Sequence, residues 1–78
     1  MKSRGQTKIS PSFGTVIRRR RHQLGWSQEE FAEKAGIHRT YVSSIEQGKV
    51  NIGLDVAKNI ADGLKVPLSK LIKEAEES

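Results

Sequence analysis

The apolar positions of the chain recur at three- and four-residue spacing in five stretches separated by glycine or proline, and this spacing predicts five helices. The sharpest signals lie between Ser27 and Gly48. Ser27 and Glu30 form a Ser-x-x-Glu capping box, which starts a helix near Gln28. Phe31, Ala32 and Ala35 supply its buried face, and Gly36 is placed to end it in the left-handed conformation. After Ile37 the pattern resumes with Tyr41, Val42 and Ile45, up to a second stop at Gly48. The two helices, with the small residues Ala32 and Gly36 allowing a close crossing, read as a helix-turn-helix.

The flanking elements follow the same logic. Ser10 as N-cap and Pro11 at the first helical position predict a helix carrying Phe13, Val16, Ile17 and Leu24 as its apolar stripe, closed by Gly25. Trp26 and Phe31 stand at the positions of a hydrophobic staple. Gly53 opens a fourth helix with Asp55 in its first turn and Leu54, Val56, Ala57, Ile60, Ala61 and Leu64 as apolar surface. Gly63 within it marks either close packing or an early end. Pro67 breaks the chain, and Leu68 to Glu77 makes a fifth helix with Leu68, Leu71, Ile72 and Ala75 on one side. The expected organisation is a flexible basic arm over residues 1–9 and one compact all-α domain over residues 10–78.

Burial in the third helix leaves one side unexplained. Arg39, Thr40, Ser43, Ser44 and Gln47 present short or forked hydrogen-bonding groups there, where a structural surface helix more often shows Glu and Lys pairs. Charge sharpens the point. Residues 1–26 hold seven basic and no acidic groups, whereas the rest holds seven basic and nine acidic, so +7 and −2 make up the net +5. Such asymmetry points to a polyanion met by one side of the molecule. The segment has too few apolar residues to anchor in a membrane, no run is long enough to span one, and no signal segment opens the chain, so a cytoplasmic, nucleoid-associated location is expected.

The motif Ser-Gln-Glu-Glu-x-Ala-x-x-Ala-Gly-Ile, followed by Arg-Thr-Tyr-Val-Ser-x-Ile-Glu-x-Gly, resembles the helix-turn-helix of the Cro/repressor (Xre) family of transcription regulators. The resemblance covers roughly Phe13 to Ile72. The run from His38 to Ser43, with Asn51, is most similar to the small controller proteins of restriction–modification systems. It implies a five-helix repressor-like fold binding double-stranded DNA as a homodimer on a palindromic operator, with helix 3 in the major groove. It implies a salt bridge between Arg21 and Glu46, a phosphate contact by Gln28 at the dipole-positive start of helix 2, and dimerisation through helix 5 and the end of helix 4.

On groove chemistry, Arg39 suits the O6 and N7 atoms of guanine, and Thr40, Ser43 and Ser44 suit other base edges. His38, Tyr41, Gln47, Lys49, Asn51 and Arg18 are candidate backbone contacts, with Tyr41 divided between core and phosphate and Arg18, Arg19 and Arg20 between solvent and phosphate. The seam is expected at Leu68, Leu71, Ile72 and Ala75. There is no cysteine, no Gly-rich phosphate loop and no His or carboxylate set at metal spacing, so no enzyme, cofactor, metal site or small-molecule ligand is expected. The main rival is an antitoxin-type protein-binding module that also represses its own operon. RNA binding is disfavoured because few aromatics are available for stacking.

Overall fold

The computed structural model describes residues 9–77, and these form five helices. They are α1 (Ile9–Gln23), α2 (Gln28–Ala35), α3 (Arg39–Glu46), α4 (Leu54–Leu64) and α5 (Leu68–Glu77). Residues 1–8, which make up nearly all of the expected arm, lie outside the described residues. Helix α1 begins at Ile9, so Ser10 is inside the helix and is not its cap. Pro11 then falls in the first turn, where its missing N–H still has no intrahelical acceptor to lose.

Each boundary of the central helices has a visible cause. Ser27 Oγ accepts from the Glu30 amide at 3.0 Å while Glu30 Oε1 accepts from the Ser27 amide at 2.8 Å, closing the capping box. Gly36 ends α2 at φ 70°, and Gly48 follows α3 at φ 71°. Helix α3 starts on His38, whose ring accepts from the Thr40 amide. Gly53 caps α4 without a side-chain bond.

The core joins Phe13, Val16 and Ile17 of α1, Phe31, Ala32 and Ala35 of α2, and Val42 and Ile45 of α3 to Ala57, Ile60, Ala61 and Leu64 of α4 and Leu71 and Ala75 of α5. Helix α1 packs on α5 and α3, and α2 packs on α4 and α3. The stacked rings of Trp26 and Phe31, 6.3 Å apart, form the staple, and Lys34 Nζ lies 4.7 Å above the indole. Leu24 departs from the expected stripe. Helix α1 ends at Gln23 and the chain turns away through Gly25 at φ 75°, so Leu24, though its amide still bonds the Arg20 carbonyl at 3.1 Å, lies at the frayed end of the stripe and is 48% exposed.

Two glycines are set by close helix approach. Added to Gly63, a Cβ would lie 3.2 Å from the Ala35 Cα, so this residue lets α4 pack against α2 and does not end the helix. A Cβ on Gly14 would overlap the Ile45 carbonyl oxygen, so α1 and the end of α3 meet backbone to backbone. Helix α4 instead ends at Lys65, the sole non-glycine residue with positive φ among the described residues (62°). Lys65→Gly removes the left-handed penalty on a side chain and is expected to stabilise the fold by about 1 kcal/mol in urea unfolding. An unchanged or lower midpoint would contradict this account of the α4 terminus.

Candidate nucleic-acid interface

Helix α3 places its side chains on two opposed sides. At about 100° per residue, Arg39, Thr40, Ser43, Ser44 and Gln47 fall within one arc, and Val42 and Ile45 lie on the other side. Arg39, Thr40 and Gln47 are exposed, Ser43 and Ser44 half-buried. Gln47 Nε2 donates to Ser43 Oγ at 2.8 Å, one turn back. Tyr41 is half-buried and packs against the core at the edge of this arc. His38, Lys49 and Asn51 are exposed at the two ends of α3 and in the loop that follows.

The one acid of α3 is withdrawn from this surface. Glu46 is nearly covered, its side chain 4% exposed, and its Oε2 accepts from Arg21 Nε at 2.6 Å. Arg21 also bonds Glu46 Oε1 at 3.1 Å and donates to the Trp26 carbonyl at 2.8 Å. Gln28 Nε2 donates to the same Oε1 at 3.1 Å, so α1, α2 and α3 meet on one carboxylate. The outward arc of α3 is thus left without negative charge. On α2, Phe31, Ala32 and Ala35 face inward while Glu29, Glu30 and Glu33 are exposed. Spacing places Gln28 on the same side as the buried residues, one turn before Phe31 and Ala32, and turns the three acids away from it.

The four consecutive arginines of α1 part in three directions. Arg21 serves Glu46, and Arg20 leaves the surface by a forked interaction with Glu74 of α5, Nε to Oε1 at 3.1 Å and its second nitrogen to Oε2. Arg19 reaches the same carboxylate more loosely, at 3.8 Å. Glu74 is 54 residues from Arg20, so nothing local in the sequence announces the pair, and Arg20 reads there as a group for solvent or phosphate. Arg18 stays exposed one turn after Gly14, in a shallow patch with Thr15, Arg19 and His22.

Hydrogen bonding from Arg20 lowers the Glu74 carboxyl below the ordinary glutamate value, opposed by partial burial and helped by the Arg20, Arg19 and Lys70 charges. A depressed carboxyl contributes stability that is present above the unfolded glutamate range and is lost as pH falls through the folded value. Relative to Glu74→Gln, the protein is therefore expected to be more stable at neutral pH by less than about 1 kcal/mol, with the difference closing in acid. A difference that widened on acidification, measured by urea unfolding at several pH values, would contradict the pairing.

Of the four residues expected at a seam, Leu71 and Ala75 are buried within the protomer at 0% and 3% exposure. They face α1 and α4 and complete the core, so they cannot meet a second chain. Leu68 and Ile72 remain half-buried. Among the described residues the large apolar side chains left exposed are Leu24, after α1, and Leu54, which is 74% exposed at the start of α4 and not at its end. Beside it is a groove of about 270 Å³ lined by Phe13, Ile45, Val50, Ile52, Leu54 and Ile72.

Among the described residues, no group of His, Cys, Asp and Glu could hold a metal ion, and no helix is long and apolar enough to cross a membrane. The pattern that defines the helix-turn-helix family HTH_3 matches residues 17–71, which includes every α2 and α3 residue described above. The chain belongs to this helix-turn-helix family. It is 39% identical over 69 residues to the control protein C.MunI of Mycoplasma sp., covering 87% of this chain and 93% of that one. A hypothetical transcription factor of Neisseria meningitidis is 42% identical over 53 residues, covering 68% of this chain but only 50% of the relative. Among solved structures, the restriction–modification controller protein C.AhdI of Aeromonas hydrophila superposes with a TM-score of 0.76 at 33% identity, over 78% of this chain and 92% of that one. This helix-turn-helix protein is thus a DNA-binding transcription regulator of the Xre type, close to the restriction–modification controllers.

Proposed function

We propose that the protein binds a palindromic operator as a homodimer, with α3 of each protomer in the major groove, and that it controls a restriction–modification system. The observation that carries this reading is the outward arc of α3. It is exposed at Arg39, Thr40 and Gln47 and half-buried at Ser43 and Ser44, free of acid, and made of groups suited to base edges and phosphates. Arg39 reads guanine through O6 and N7, and Thr40, Ser43 and Ser44 meet neighbouring edges. Gln28, His38, Tyr41, Gln47, Lys49, Asn51 and Arg18 contact the backbone. An amide carries two N–H groups, so Gln28 can serve Glu46 with one and a phosphate with the other. Control of a restriction–modification system rests on the relatives named as control and controller proteins.

A single helix reads too few base pairs for useful specificity, and two-fold pairing supplies the second half-site. A two-fold interface needs a patch that complements itself, and here the protruding Leu54 adjoins an apolar groove on the same face. We assign the seam to Leu54, Val50, Ile52 and Ile72, with Leu68 at its margin. The test combines sedimentation with methylation interference. Guanine N7 methylation is expected to block binding at symmetric positions, and Leu54→Glu is expected to sediment as monomer and lose operator affinity. Undiminished binding to N7-methylated operator, or an unaltered dimer in the variant, would sink the groove placement or the seam respectively.

A further inference from the structure

The N-terminus of α3 fixes more than where the helix starts. The Thr40 amide donates to His38 Nδ1 at 3.2 Å, and Thr40 Oγ1 lies 2.9 Å from that same nitrogen. A backbone N–H can only donate, so Nδ1 is the ring nitrogen without a proton and Nε2 carries it. The contact between Oγ1 and Nδ1 then has one solution, in which the hydroxyl donates. A threonine within a helix ordinarily gives its hydroxyl proton to the carbonyl three or four residues back. Thr40 is the second residue of α3, and the imidazole of the N-cap takes that place.

With its proton committed, Thr40 Oγ1 offers only lone pairs to an incoming group. We infer that His38 sets the hydrogen-bond polarity of Thr40, so that Thr40 selects an amino-bearing base, adenine or cytosine, over keto-bearing guanine or thymine. The inference rests on the proposed placement of α3 in the major groove. There, adenine N6 and cytosine N4 present donors where guanine O6 and thymine O4 present acceptors. A hydroxyl free to rotate would accept both kinds of base, since it can act as donor or acceptor. His38 is therefore a positioning residue that acts through Thr40, and its own Nε2–H is left as a donor suited to a phosphate oxygen.

Two measurements test this separately. In ¹⁵N-labelled protein at a pH where the ring is neutral, long-range ¹H–¹⁵N correlation is expected to show the His38 proton on Nε2, and a proton on Nδ1 would overturn the inference. Selection from random double-stranded DNA is then run with the wild type, Thr40→Val and His38→Ser, the last of which keeps an oxygen cap. The wild type is expected to favour A or C over G or T by about fivefold or more at one position in each half-site. Thr40→Val should abolish that preference alone. His38→Ser should also lose it and, with its phosphate contact gone, bind all sequences more weakly alike, while keeping the thermal midpoint and the base preferences at the other positions. A keto preference at the Thr40-dependent position, no position that responds to Thr40→Val, or an unchanged preference in His38→Ser overturns the polarity assignment alone. No enriched motif in the wild type overturns the groove placement, and base selection with it.

Discussion

Glu46→Ala lowers the unfolding free energy by about 3–5 kcal/mol, the cost of leaving a buried guanidinium without its counter-charge. Arg21 is 8% exposed and keeps only the Trp26 carbonyl and the neighbouring His22 ring as named partners once Glu46 is gone. The carboxylate also holds Gln28, so the variant loosens the junction of α1, α2 and α3 together. Urea unfolding reads the loss directly. Replacing both members with apolar residues, Arg21→Met with Glu46→Leu, is expected to recover most of it, because an apolar pair of similar volume leaves no charge stranded. If the double variant were no more stable than Glu46→Ala, the loss would reflect packing and not an uncompensated charge.

Arg39→Ala has the largest expected effect on DNA. A bidentate contact to guanine is worth about 1–3 kcal/mol of discrimination, and a two-fold dimer makes it twice, so about 2–6 kcal/mol of operator preference disappears. Affinity for scrambled DNA falls much less, by what one charge contributes to phosphate attraction. Gln28→Ala behaves in the opposite way, weakening matched and scrambled DNA alike. Titrations of both variants against both DNAs at one fixed salt concentration separate these effects. Equal losses on the two DNAs for Arg39→Ala would remove Arg39 from base reading.

What the sequence made legible was local. The Ser27–Glu30 box, Gly36, Gly48 and Pro67 act through neighbours a few residues away, so the five helices and the helix-turn-helix were visible in the pattern. The outward arc of α3 was visible for the same reason, because a helix of fixed pitch decides which side chains share a side. Periodicity could not tell apart the two kinds of apolar residue on α5. Leu71 and Ala75 share a stripe with Leu68 and Ile72, and only the packing of α1 and α4 covers the first pair. Gly14 was overlooked because its role is a close approach to Ile45, 31 positions away, with no turn to advertise it. Arg21 and Glu46 came from family resemblance, whereas Arg20 and Glu74 had no such guide.

The central claim is that two copies of α3 read two half-sites, and selection from random double-stranded DNA at physiological salt tests it most directly. A palindrome with half-site centres about one helical turn apart, each containing a guanine whose selection depends on Arg39, is the expected result. Retention without any enriched motif, falling away steeply as salt rises, would mean that the basic groups provide only nonspecific attraction and would contradict it.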